Sequence, residues 1–404
     1  MMDWLTSISV DVFHPKVLLE STPSNPYILP FEVWLLIFAC LAQDRCISPD
    51  VIALSHTTSQ FRSLTLAMPS LWAHFDLMDH CTERLEEYIR RSDNQPGCIA
   101  SRKQKNGGKR AKDLAIYYKV DPTRIYDAFV PEQHLAEVVG VFTDLRCLHV
   151  AGTTKTTSIS FSYILDAFPH LIEFVWEPPY VPERIARIQW HENTKQYKLQ
   201  TLRIAEVIPR RIPSEIQQIL LHCPNLIHLE GGVTSLDTME ELLSTSIQVL
   251  HLGFTWIRTP QLMIRFRFPA LRVLEFKGKL CWCYRSADVS LGFEDSTYLE
   301  KLIASLCIDN VERCMRWIAI SGQHPKELHI SMYDQSLSRF LFRMGVGFGG
   351  KSIFPCLEKL YITSLDNTGR ISVQEAINLV TQMSQARSVL GLPRLRVQLG
   401  LRWL

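Results

Sequence analysis

The sequence lacks most of the features that announce a function. It has no C-x-x-C pair: its 11 cysteines are an odd number, spread from Cys40 to Cys356, and Cys281 and Cys283 leave only Trp282 between them. That excludes a paired zinc knuckle or a thioredoxin-like redox pair, and predicts free, mostly buried thiols in a reducing compartment. Neither sign of charge is in excess. Lys and Arg number 43 against 41 Asp and Glu, a net of +2, so no global field draws the chain to nucleic acid or to a membrane. The longest apolar run, Phe31 to Ala42, is interrupted by Glu32 and falls well short of the ~20 residues a membrane span needs. The start, MMDWLTSISVDVFHPK, has no basic segment and carries Asp3 and Asp11, unlike a signal peptide. The HExxH, GxSxG and catalytic-cysteine signatures are absent as well. These absences predict a cytoplasmic and/or nuclear chain that performs no bond chemistry and carries no cofactor or metal.

What is present begins at residue 27. In YILPFEVWLLIFACLAQ, Pro30 suits a first helical turn, and Val33, Leu36, Ile37, Cys40 and Leu41 recur at helical spacing. Ile52, Leu54, Ser55, Phe61 and Leu64 mark one or two further short helices before Pro69. The unit has more apolar surface than roughly fifty residues can bury alone, so it must pack on a partner, on the rest of the chain, or on both.

Leu29-Pro30-x-Glu32-Val33 with Ile37-Phe38 resembles the opening of an F-box. Leu54-Ser55 followed by Phe61-Arg62-x-Leu64 falls where that family has its second helical signature. Ser70-Leu71-Trp72 with Asp76-Leu77, and the segment from Thr82 to Gln95-Pro96, are similar to the tail common in fungal F-box proteins. The resemblance implies docking on the Skp-type adaptor of a cullin-RING ubiquitin ligase through Leu29, Pro30, Val33, Ile37, Phe38 and Leu41, with Leu54 and Phe61 from the second segment.

From about residue 142 the chain repeats itself. LRCLHV, LIEFVW, LQTLRI, LIHLEG, IQVLHL, LRVLEF, LEKLIA, KELHIS and LEKLYI carry anchors Leu148, Phe174, Leu202, Leu229, Leu250, Leu274, Leu302, Leu328 and Leu360. Their gaps are 26, 28, 27, 21, 24, 28, 26 and 32 residues, and seven of the eight fit the leucine-rich-repeat period of about 20–29. A degenerate further copy runs from Leu392 through Leu395 to Val397. In such a frame a short strand turns positions four and six inward and positions three and five outward. Amphipathic stretches such as 213–224 and 238–245 are expected to form helices on the opposite face. Prolines in Phe168-Pro169, Cys223-Pro224, Phe268-Pro269 and Phe354-Pro355 end each preceding element and lead into the strand.

The expected fold is therefore α/β. A small helical F-box-like domain at 24–78 follows an N-terminal extension at 1–23. A connecting helix and basic loop at 79–141 leads into a leucine-rich-repeat solenoid at 142–404, with parallel strands on its concave face and helices outside. Position five of successive strands would line that face with His149, Val175, Arg203, Glu230, His251, Glu275, Ile303, His329 and Tyr361. The mixed charges and the aromatic ring suit a protein target. The three histidines of this row stand several strands apart at about 4.8 Å per strand, too far to share one ion.

Two rival motifs remain. GVGFGGKS at 345–352 spells a phosphate loop, and would make the chain a nucleotide-binding enzyme. A working phosphate loop joins a strand to a helix, whereas here a helical pattern precedes the motif and a repeat strand follows it, so a glycine-rich connector is expected. RKQKNGGKRAK at 102–112 could serve nuclear import or nucleic-acid binding. No aromatic residue interleaves its charges, which favours a solvated loop and argues against nucleic acid as the partner.

Overall fold

The computed structural model describes residues 29–43, 51–76, 82–100, 121–139, 141–152, 158–177, 187–189, 195–204, 213–233, 240–254, 261–277, 288–294, 299–305, 325–332, 334–346, 354–364 and 373–400. The first of these form a helical unit: α1 (Phe31–Gln43), α2 (Val51–Thr57) and α3 (Ser59–Ala67). Pro30 stands just before the first turn of α1. Its carbonyl accepts the opening helical bonds from the Val33 and Trp34 amides, and Glu32 favours the positive end of the helix dipole. The Thr58 hydroxyl caps α3 by accepting from the Phe61 amide at 3.0 Å. Trp34, Phe38 and Phe61 join α1 to α3, with Phe61 ring centroids 4.7 Å from Trp34 and 5.4 Å from Phe38.

A 13-stranded, wholly parallel sheet follows. Its strands are His74–Asp76, Gly97–Ala100, Ile125–Pro131, Cys147–Ala151, Glu173–Glu177, Thr201–Ile204, His228–Val233, Val249–Phe254, Val273–Lys277, Lys301–Ser305, Glu327–Met332, Lys359–Ser364 and Arg396–Gly400. Each strand pairs with the one before and after it in this order. All nine anchors from Leu148 to Leu360 occupy one register row, each at most 4% exposed. Burying a side chain of that size stabilises by about 1.5–3 kcal/mol. Position-three and position-five side chains of the same strands are only partly covered, so the sheet has one packed face and one open face.

The sheet begins well before residue 142. Phe75, Ile99 and Ala128 continue the anchor row toward the N-terminus. These three strands are short or carry small residues, so no leucine period betrays them. Gly97 is required there: a β-carbon on it would stand 2.8 Å from the Phe75 ring and 3.0 Å from the Ala73 carbonyl oxygen. At the other end Val397, not Leu395, pairs with Leu360. A shift of two residues keeps every side chain on its expected face.

The packed face differs from expectation in the middle of the chain. Helices Phe161–Ala167 and Pro213–His222 connect strands in the first half of the sheet, and Asp334–Val346 and Val373–Val389 connect its last three strands. The stretch 238–245, expected as a helix, instead holds the strand Glu240–Leu243, which pairs in parallel with Gln261–Arg267, and that in turn with Asp288–Glu294. The physical reason is length. The Leu229-to-Leu250 repeat is the shortest of the series, at 21 residues. Four residues of strand span about 13 Å, against about 6 Å for the same residues in a helix. Leu242 is buried and Leu243 exposed, the alternation of a strand.

The corners are β-turns plugged by a side chain. Phe168, Cys223, Phe268 and Phe354 are each at most 1% exposed, and their carbonyls accept from the Leu171, Leu226, Leu271 and Leu357 amides. Among the described residues no helix is long and apolar enough to cross a membrane.

Candidate functional site

The open face of the sheet carries two parallel rows of side chains. One contains all seven residues expected to meet a target: His149, Arg203, Glu230, His251, Glu275, His329 and Tyr361 stand in register, with Val175 and Ile303 in the same row. Phe129 and Gln398 extend it at either end. The second row stands at position three, which the leucine frame also turns outward, although none of its side chains is among those expected to meet a target. It includes Glu173, Thr201, His228, Lys301, Glu327, Lys359 and Arg396.

The face divides into three electrostatic regions. Toward the N-terminal end the His149 imidazole sits edge-on to Phe129 at 4.4 Å and 3.2 Å from the Glu177 carboxylate. Burial lowers the pKa of His149, against the opposing pull of Glu177. In the centre His251 lies between Glu230 (3.8 Å) and Glu275 (3.3 Å), edge-on to His228. Toward the C-terminal end Glu327 gathers cations: Lys301 at 3.0 Å, Lys359 at 3.2 Å and His329 at 2.6 Å. The His329 ring stacks on Tyr361 at 4.2 Å. Burial pushes the Glu327 carboxyl up, but hydrogen bonds from His329, Lys301 and Lys359 outweigh it and hold the pKa at about 2.

A groove of about 890 Å³ opens at the ends where the early strands begin, lined by Arg124, Arg146, His170 and Lys198 among others, with Asp144 beside them. Arg124 is already engaged, donating to the Ser92 hydroxyl and the Gln95 carbonyl, both at 2.9 Å.

The eight residues assigned to adaptor contact separate into inner and outer sets. Leu29 and Pro30 are exposed, and Val33, Ile37, Leu41, Leu54 and Phe61 are half-buried. Phe38 is 1% exposed. It is core of the helical unit, not contact surface: in α1 it lies four residues from Trp34 and faces α3, where its ring meets Phe61. Leu36, 64% exposed, and the exposed Cys40 belong to the outer surface instead. Val33, Leu36 and Cys40 follow the spacing i, i+3, i+7, one stripe of the helix, and the exposed Leu29 stands just before its first turn.

The helical unit is locked to the start of the sheet. His74 Nε2 donates to the Ala42 carbonyl near the end of α1 at 2.9 Å. That leaves Nδ1 of a neutral ring to accept the Cys98 thiol at 2.7 Å. Trp72 Nε1 donates to the Thr65 carbonyl at 2.8 Å. The helix Thr82–Arg91 covers the same ring, with Tyr88 edge-on at 5.2 Å and the Arg91 guanidinium 4.4 Å above it.

The phosphate-loop spelling is divided by the structure. Gly345 and Val346 end the helix Asp334–Val346, residues 347–352 lie outside the described residues, and the next element among the described residues is the strand Lys359–Ser364. The basic stretch 102–112 also lies outside the described residues. Of the cysteines expected to be mostly buried, Cys98 and Cys223 are buried, Cys147 is half-buried, and Cys40 and Cys356 are exposed. No protein-family model matches the sequence, and no curated protein is significantly similar to it.

Proposed function

We propose that this chain is a non-catalytic target-recognition subunit of a cullin-RING ubiquitin ligase, with an F-box-like unit at 24–78 and a leucine-rich-repeat solenoid behind it. The observation that carries the reading is the two-sidedness of α1. Phe38 faces the core, while Leu36 and Cys40 stand exposed along the other side and Leu29 is exposed just ahead of the helix. A contiguous apolar stripe of this kind is a contact surface in wait of a partner. It lies on the helix whose sequence resembles the adaptor-docking segment of F-box proteins, so the Skp-type adaptor is its occupant.

The open sheet face supplies the second contact. Its two rows place aromatic, cationic and anionic side chains on a backbone that thirteen hydrogen-bonded strands hold in register. Such a surface binds a protein target by complementarity of charge and shape. The chain then contributes proximity, bringing target lysines to the ubiquitin-carrying enzyme, and makes or breaks no bond itself.

Co-expression with a Skp-type adaptor tests this directly. A one-to-one complex that survives gel filtration is expected. A well-folded chain that fails to bind an adaptor competent for an authentic F-box protein ends the reading.

A further inference from the structure

The centre of the open face holds a donor set that target binding does not require. His228, Glu230 and His251 each bring one ligand atom to within 4.8 Å of the other two, and all three side chains are half-buried. The sheet produces this convergence. Glu230 is directly opposite His251, and His228, two residues earlier on the same strand, is its diagonal neighbour on the same face. We propose that these three residues bind a divalent transition metal ion, with Zn2+ as the probe.

The chemistry of the set favours this. Two imidazoles and one carboxylate suit zinc, which takes nitrogen and oxygen ligands at about 2.0–2.2 Å. Tetrahedral ligand atoms at that radius are about 3.4 Å apart, so side-chain rotations of an ångström or so close the site without moving the strands. His251 is already oriented for the role. Its Nε2 lies 3.3 Å from the Glu275 carboxylate, while its Nδ1 is buried without a hydrogen-bond partner among the described residues and faces Glu230 at 3.8 Å.

A carboxylate behind a ligating histidine fixes its tautomer and raises its basicity. Glu275 is placed to do this. Together Glu230 and Glu275 also balance the charge of a divalent ion. Three protein ligands leave a coordination position for water or for a donor from a bound partner.

The inference does not depend on the ligase reading, since it concerns the metal and this chain alone. The full-length protein, reduced and stripped of metal with a chelator, is titrated calorimetrically with ZnCl2. One equivalent that competes with a micromolar chromophoric chelator is expected. His228→Gln and His251→Gln should each abolish it, Glu275→Gln should weaken it about 10–100-fold, and His149→Gln and His329→Gln should leave it unchanged.

Because the chain has free cysteines, Co2+ is bound in parallel. Visible bands without a thiolate charge-transfer band assign the ion to nitrogen and oxygen ligands. No tight equivalent, retention of binding in both His228→Gln and His251→Gln, or a thiolate band that persists in them would each overturn the proposal. Circular dichroism reports folding, and if His251→Gln does not fold, His228→Gln and Glu230→Gln decide the matter.

Discussion

Gly345, near the end of the helix Asp334–Val346, lies so close to Ala386 of the helix Val373–Val389 that a β-carbon on it would stand 3.1 Å from the Ala386 Cβ and 3.3 Å from the Met383 Cα. The first glycine of the phosphate-loop spelling is thus accounted for by helix packing. Gly345→Val should destabilise the protein by about 1–3 kcal/mol, the range for overpacking a close contact, as read by denaturant unfolding. Lys351→Ala should leave stability unchanged, and ATP should not raise the melting temperature of either the native chain or the variant. An ATP-dependent rise lost in Lys351→Ala would restore the nucleotide-binding reading.

Two neighbouring residues of α1 should behave in opposite ways. Leu36 is exposed, so Leu36→Glu is expected to change stability by no more than about 0.5 kcal/mol while abolishing adaptor co-purification. Phe38 is buried against Phe61, so Phe38→Ala should cost about 3–5 kcal/mol. A Leu36→Glu chain that still binds the adaptor with native affinity would move the docking surface elsewhere.

Acid should weaken the C-terminal end of the open face through Glu327. Burial raises its pKa, but the bonds from His329, Lys301 and Lys359 prevail and bring it to about 2. A depressed carboxylate stabilises fully above its unfolded value of about 4.3, and that contribution is lost as pH falls through the folded value. Stability should therefore decline between about pH 5 and pH 2 by an amount on the order of 2 kcal/mol. Glu327→Gln should flatten this part of the profile, measured as unfolding free energy against pH.

Thiol accessibility should follow burial. Cys40 and Cys356 are exposed, and should be alkylated within the folded protein. Cys223 is buried, and burial pushes its pKa up to about 12, so it lacks both access and thiolate. Cys98 is buried with its sulfur against His74. Both should react only on unfolding, as peptide mapping by mass spectrometry would show. Early labelling of Cys98 would mean that the junction between the helical unit and the sheet opens readily.

Leucine periodicity alone determined the anchor row, its inward face and the register of the residues on the open face. This is because side chains alternate with a period of two and each anchor from Leu148 to Leu360 must be buried. The sequence pattern also located α1, but not which of its apolar side chains face outward: Phe38 was expected at the contact surface, and Leu36 and Cys40 were not.

Only the tertiary structure decided the rest. It extended the sheet to His74, where Phe75, Ile99 and Ala128 fill the leucine row without being leucine. It turned 240–243 into a strand because the shortest repeat has no length for a helix. It placed Phe38 inside and Leu36 outside, a choice made by the packing of α3. It also brought the ligand atoms of His228, Glu230 and His251 to within 4.8 Å of one another, a convergence that register alone leaves open. Those choices depend on which strands become neighbours and on how much chain lies between them, and neither is written in any local run of residues.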